Sequence, residues 1–467
     1  MGTRMLSARR SMRYWMLPLL FIVGQAHALD LLGAWQAALS QDPVFAAARA
    51  AARVGRTKIL QATALKGPQV TLNAGVAGVS NDNKITDAQF SNAQFAGGAT
   101  GTNGTTDFLT KTDGGLDLNV NLRAEMPLYD VAKISAASQL NKQAALAEVQ
   151  LIAEAQQLML RVSQAYFDVL LATDALQALK AQQTALAEAL ASAKARFKEG
   201  DAAIIDTHET QARADMLSAQ VLEAESNVHL TRAALADISG NQEASLSQLS
   251  NKANFQQYAG GDLQSWLTRV QTNNPQLQVQ QLQHDIAQLE SGKLQSKYAP
   301  MLNLVAQVGS ERLQGLAGSD ADVTNRQLSL GVQLTIPLYS SGMRDARYQE
   351  ALALENQARS QTDVVKQRAV QAARSAWMAV TVGQGQVKAL EQAQHSAEVK
   401  LDSTRLGRDV GDRTTLDVLN SEQELHTTRL ALYRSKYQVL QALLNLSAAA
   451  GELDEARLHE INQALSQ

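Results

Sequence analysis

Residues 101–115, GTNGTTDFLTKTDGG, set Asp107 and Asp113 among glycines. Carboxylates held in glycine-rich turns are calcium chemistry. The stretch lacks the short tandem repeat on which glycine–aspartate calcium loops rely, so it reads as a polar extracellular loop. Nothing else is spaced for catalysis. The seven histidines show no His-x-x-x-His ligand spacing, and no nucleophile elbow or phosphate loop occurs. The chain has no cysteine, which excludes disulfides, thiolate metal sites and an acylated N-terminal cysteine together. We therefore expect no enzyme activity, no cofactor and no metal. The plentiful Asp and Glu lie on helical stretches, where exposed charge is the default.

The elements that carry these residues are written twice. DPVFAAARAAARVGRTKILQATALKGPQVTLNAGV starts at Asp42, and NPQLQVQQLQHDIAQLESGKLQSKYAPMLNLVAQV starts at Asn274. Pro43 and Pro68 recur as Pro275 and Pro300, each 232 positions on. Pro127-Leu128-Tyr129 recurs as Pro337-Leu338-Tyr339, 210 positions on, and Gly200 and Asp206 recur as Gly411 and Asp417, 211 positions on. A shift this steady marks an internal repeat. Each half reads helix, strand, loop, strand, very long helix, glycine break, second long helix.

Two periods separate the element types. Val70, Leu72, Ala74 and Val76 alternate with polar residues, as do the even positions from Leu116 to Met126; Leu302, Leu304, Ala306 and Val308, and then LSLGVQLTIPLY at 328–339, repeat the pattern. The helical stretches instead place Leu176, Leu179, Leu186, Leu190 and Phe197 at coiled-coil spacing, matched by Val387, Leu390, Ala397, Leu401 and Thr404. Uninterrupted helix from about Ala132 to Lys198 would run roughly 100 Å.

Arg4, Arg9, Arg10 and Arg13 precede the apolar run YWMLPLLFIVG, and Ala26-His27-Ala28 follows. That is the layout of a secretory signal cleaved near Leu29. Its loss takes the formal charge from −3 to −7. No basic patch suggests nucleic acid. The boundaries expected are 1–28 signal peptide; 29–240 first repeat, with strands about 69–79 and 116–126 and helices about 131–238; 241–262 connecting or equatorial segment; 263–451 second repeat, with strands about 301–309 and 327–336 and helices about 341–448; and 452–467 C-terminal segment. The stretches 80–115 and 309–326 between strands are polar and read as solvent-facing loops.

Strands of about ten residues with one apolar face suit an outer-membrane barrel. A half-buried soluble sheet would alternate in the same way. The signal peptide and the lack of a second apolar layer point to the lipid bilayer. Tyr129, Tyr298 and Tyr339 stand at the helix-side ends of strands, where aromatics form interfacial girdles. Four strands cannot close a barrel, and an open edge in lipid costs several kcal/mol per unpaired group. The chain must therefore pool strands with copies of itself. Two copies give eight strands, whose interior fills with side chains, and three give twelve, enough for a pore.

The doubled order, MPLYD at 126–130, IPLYSSGM at 336–343, AYFDVLLATDAL at 165–176 and VGDRTTLDVLNSEQEL at 410–425 resemble the TolC family of outer-membrane efflux and secretion channels. The resemblance spans essentially the whole chain after the signal. It implies a membrane α+β fold: a homotrimer with a twelve-stranded outer-membrane β-barrel, four strands per chain, continued by a long periplasmic α-helical coiled-coil barrel. It further implies a conduit for small toxic compounds or a type I secreted protein. The partners implied are a periplasmic adaptor protein and an inner-membrane ABC or proton-driven transporter.

The resemblance also implies a gate at the periplasmic tip, where acids and an arginine past each helix break tie neighbouring helices together. By position, Asp206 follows the Gly200 break, and Arg413 and Asp417 follow the Gly411 break. Two positions depart from the family pattern: Arg408 stands where the gate has a tyrosine, and Asn420 where it has a second acid. The helix breaks at Gly200 and Gly411 are the expected adaptor-docking surface. The competing function is a trimeric coiled-coil adhesin with a small barrel anchor, but two strand pairs per chain, with helices that must return, favour the conduit.

Overall fold

The computed structural model describes residues 29–89, 105–200, 203–241, 245–249, 262–295, 299–316, 323–463 and 465. The expected signal peptide and Tyr298 lie outside them. The element order is α1 (Leu31–Gln41), α2 (Pro43–Ala64), β1 (Gln69–Gln89), β2 (Thr105–Asp130), α3 (Val131–Glu199), α4 (Ile204–Ser239), α5 (Leu263–Asn273), α6 (Pro275–Gln295), β3 (Met301–Leu316), β4 (Val323–Thr335), α7 (Met343–Asp409), α8 (Thr415–Ala449) and α9 (Glu455–Gln463).

The repeat is physical. The opening helix of each half is split in two by a capping residue and a proline. Asp42 accepts the Phe45 N–H at 2.7 Å ahead of Pro43, and Asn274 accepts the Leu277 N–H at 2.9 Å ahead of Pro275. Proline suits the first helical position, where no N–H is needed. The long helices α3 and α7 span 69 and 67 residues. Asp130 starts α3 by accepting from Ala132 and Lys133 N–H, and Gly200 ends it at φ +88°. A left-handed residue there costs glycine little and other residues more.

The four strands form one antiparallel sheet in the order β1-β2-β3-β4, which leaves β1 and β4 as open edges. Partner residues keep a single face apolar. Leu72, Leu122, Val308 and Leu328 stand in one row across the sheet, and Thr71 and Arg123 begin the polar row beside it. Among the described residues every substantial contact of the strands is with another strand, so no described helix packs over either face. Leu328 is 84 % and Leu330 75 % exposed.

The ladder runs further than the alternation. The described parts of the stretches 80–115 and 309–326, expected as loops, are strand: β1 and β2 continue their pairing to Gln89↔Thr105, and β3 and β4 to Leu313↔Val323. The strands are therefore 13 to 26 residues long, not about ten. Thr105–Gly115, expected to belong to a loop, is part of β2. Backbone pairing needs no continuous apolar face, so the ladder continues past the apolar rows through stretches of mostly polar residues. Its rungs shift between Val79 and Asn81 and between Ile85 and Ala88.

The main core lies where the short helices gather against the middle of α3 and α7 and the end of α8. Leu31, Tyr166, Trp266, Leu440, Leu443, Leu458 and Ile461 are all buried there. Asn462 of α9 donates to Asp30 at 2.6 Å and accepts the Leu31 N–H at 3.0 Å, so the two ends of the described chain are pinned together. The Tyr166 hydroxyl lies 3.0 Å from the Leu29 carbonyl and 2.9 Å from the Ser247 carbonyl, tying α3 to the segment after α4.

Candidate functional site

The candidate site has two parts, the sheet and the far tip of the helices. Each tip is a hairpin of two antiparallel helices. Leu186, Val387, Ala397 and Leu401 of the expected seam are buried, and Leu179 is half-buried. Phe197, one turn from the Gly200 break, is 43 % exposed. Salt bridges brace the outer faces: Lys180–Glu225 between α3 and α4, and Arg405–Glu422 and Arg429–Glu398 between α7 and α8, at 2.7–2.8 Å. Hydrogen bonds from Arg429 and Gln394 hold the Glu398 carboxyl below its ordinary value.

The α7–α8 turn explains itself residue by residue. Gly411 takes φ +83°, and the Asp412 and Arg413 N–H groups both return to the Gly407 carbonyl, at 2.8 and 3.1 Å. A Cβ on Gly407 would come within 2.8 Å of Arg413 Cγ, so the glycine lets that side chain fold back across the helix. Thr414 and Asp417 form a capping box: the Asp417 N–H donates to Thr414 Oγ1 at 3.1 Å, and the Thr414 N–H to Asp417 Oδ2 at 2.9 Å. The bond from the Thr414 N–H, then that from its hydroxyl, lowers the Asp417 carboxyl below its ordinary value, and Arg413 adds to this.

The residues singled out from the sequence fall into distinct settings. Arg413, Asp417 and Asn420 line one polar hollow of about 590 Å³, together with Lys400 and Thr404. Arg413 Nε lies 3.9 Å from Asp412 Oδ2, and Arg408 pairs with Asp409 at 2.7 Å. Asp206 is exposed on the other hairpin, in the first turn of α4, where a carboxylate complements the helix dipole. Among the described residues it has no side-chain partner, and it bonds to none of the other four.

One contact joins the hairpins at this level that sequence reasoning missed. Arg213 Nη1 of α4 donates to Asn420 Oδ1 of α8 at 2.8 Å, while Nη2 reaches Glu209 at 3.2 Å. Beneath it, Leu419 of α8 packs with Leu186 and Leu217. The Glu209–Arg213 spacing of four was visible in the sequence; its partner across the repeat was not.

The sheet carries the second part. Tyr129 pairs with Leu302 and is 48 % exposed, and Tyr339 follows β4 and is 87 % exposed, both at the helix end. On the polar face, Arg123 pairs with Glu125 at 3.3 Å and Asn303 donates to Glu125 at 2.7 Å. Such a sheet can separate lipid from water once its edges are joined.

Among known proteins, the sequence model of the family described as outer membrane efflux protein matches residues 34–241 and 266–452, one match in each half. The chain is 29 % identical to the outer membrane protein TolC of Escherichia coli over 356 residues, 74 % of this chain and 72 % of that protein. It is 27 % identical to the alkaline protease secretion protein AprF of Pseudomonas aeruginosa over 445 residues, 94 % of this chain and 88 % of that one. The CmeC outer membrane channel of Campylobacter jejuni superposes with a TM-score of 0.72 at 16 % identity, covering 94 % of this chain and 90 % of its own.

Proposed function

We propose a homotrimeric, pump-coupled conduit, and the premise is that the chain belongs to the outer membrane efflux protein family. As a member it is an outer-membrane channel for efflux or secretion, not an enzyme. The observation that carries the finer reading is the bare sheet, with an exposed apolar face on one side and open edges at β1 and β4. In lipid each unpaired edge group costs several kcal/mol, so β4 of one copy pairs with β1 of the next. Three copies make twelve strands, wide enough for a water-filled lumen lined by the polar face. Tyr129 and Tyr339 mark the inner interface.

The helical hairpins then converge around the axis below the membrane, with the tips at Gly200 and Gly411 as the docking surface for a periplasmic adaptor. The nearly full-length match to a relative named for protease secretion supports a polypeptide cargo delivered by an inner-membrane ABC exporter. Energy is spent at that pump.

The tip is the gate in this reading. Asp206, without a side-chain partner among the described residues, is available to the Arg413 of a neighbouring hairpin. Asp417 holds the α7–α8 turn through its capping box while lining the same hollow. Exposed pairs of this kind contribute about 1 kcal/mol or less apiece, so a partner protein can undo them. Planar-bilayer recording of the full-length protein tests this: Asp206→Ala and Arg413→Ala should each raise single-channel conductance. Unchanged conductance in both removes the gate assignment and leaves the barrel intact.

A further inference from the structure

On the apolar face of β3 and β4, four rows run outward from the helix end: Leu302/Leu334, Leu304/Val332, Ala306/Leu330 and Val308/Leu328. The next two rows of the same face are Ser310/Arg326 and Arg312/Thr324. Both arginines are exposed, and Arg326 has no side-chain partner among the described residues. On β1 and β2 the corresponding rows remain apolar, with Ala74 and Val120 beside Ser310, and Val76 and Leu118 beside Arg312. The neighbouring acids Asp117, Glu125 and Glu311 all alternate to the opposite face.

The height of these arginines is set by strand geometry. From Leu334 to Arg326 is eight residues, and from Leu302 to Arg312 is ten. At about 3.3 Å per residue and a tilt of about 40°, they stand roughly 20–25 Å above the inner end of the apolar band. That is the outer edge of a band about 25 Å tall. A guanidinium is costly at the bilayer centre but tolerated at this level, where phosphate oxygens replace water. Beside Arg326 the small Ser310 leaves a groove of about 410 Å³ that also touches Val120, Leu122, Val308 and Leu328. An apolar trough ending in a cation matches an acyl chain ending in an anion.

We propose that Arg326 and Arg312 form a headgroup subsite for a phosphate-bearing lipid of the outer leaflet, one of whose acyl chains lies in the groove between β2, β3 and β4. The subsite rests on the apolar face meeting lipid. Its occupant is an amphiphile and not free phosphate, because beyond Arg326, Ser310 and Gln327 the groove is lined by Val120, Leu122, Val308 and Leu328, which a phosphate cannot use. Guanidinium binds phosphate in a fork that an ammonium lacks, and charge accounts for the remainder.

The test is native mass spectrometry of the purified full-length protein in neutral detergent, titrated with diphosphorylated lipid A and with the same lipid after dephosphorylation. The wild type should retain the phosphorylated lipid about tenfold better, and Arg312→Gln with Arg326→Gln should erase that preference. The double lysine variant should keep most of it, which separates charge from folding. Excess inorganic phosphate should not displace the lipid. Equal retention by wild type and the double glutamine variant, equal retention of the two lipids, or displacement by inorganic phosphate would overturn the subsite while leaving a lipid-facing sheet. Failure of the wild type to hold either lipid would overturn the lipid-facing sheet as well.

Discussion

Arg213 and Asn420 make a cross-hairpin bond at 2.8 Å, at the position where the resemblance led us to expect a second acid. The pair is exposed, so its worth is about 0.5–1 kcal/mol, two- to fivefold in an open-to-closed ratio. Arg213→Ala should raise the open probability in bilayer recordings by about that factor; a tenfold change would mean the bond is the main latch. Asp417 contributes to the acid response of the tip. Its carboxyl is lowered from 3.8 in the folded state, so its contribution is complete above that pH and is lost as pH falls through the lowered value. Conductance of the wild type should therefore rise on acidification below pH 3.8, and Asp417→Asn should flatten that part of the profile.

At the scale of elements, the repeat supplies its own control. Asp42 and Asn274 cap α2 and α6 in the same way, but Asp42 also takes a two-pronged bond from Arg161, at 3.0 and 3.1 Å. Asn274 instead donates to the Ala449 carbonyl at 2.9 Å. Burial pushes the Asp42 carboxyl up, but Arg161 and the Phe45 N–H win, and it ends below its ordinary value. Its stabilisation is thus present above pH 3.8 and lost as pH falls through the folded value. Asp42→Ala should cost about 1–2 kcal/mol at neutral pH, and Asp42→Asn, which keeps the cap, distinctly less, as read from thermal unfolding.

The same scale shows what the sequence could reveal. The long helices were legible because Leu186 and Leu401 sit on a sustained seam and glycines end it. The apolar rows of the sheet were legible from strict alternation. The strand extensions were not, because pairing beyond Val79 and Val308 uses backbone groups that polar residues supply as well. Nor was the split of the opening helices read, although Asp42-Pro43 and Asn274-Pro275 carry its signature. At the tip, the glycine breaks and Asp417 were visible, and Thr414 three residues before it carries a local capping signature, whereas Arg213 across the repeat depended on packing between distant segments.

For the whole molecule, the core and the sheet do opposite things. The gathering of α1 on α3, α5 on α7 and α9 on α1 and α8 buries its own apolar residues, such as Trp266 at 1 % exposure, within one chain. The sheet cannot do so, since Leu328, Leu330 and Val332 stand exposed on a face over which no described helix packs. Stability of the helical body and completion of the channel are therefore separable, and only the second requires other copies and lipid. The most direct test is the protein mass of the full-length chain in neutral detergent, with bound detergent subtracted, from sedimentation equilibrium. A single species of three chains, one chain being 50.3 kDa before any processing, is the expected result. A stable, monodisperse single chain with its sheet intact would contradict the account.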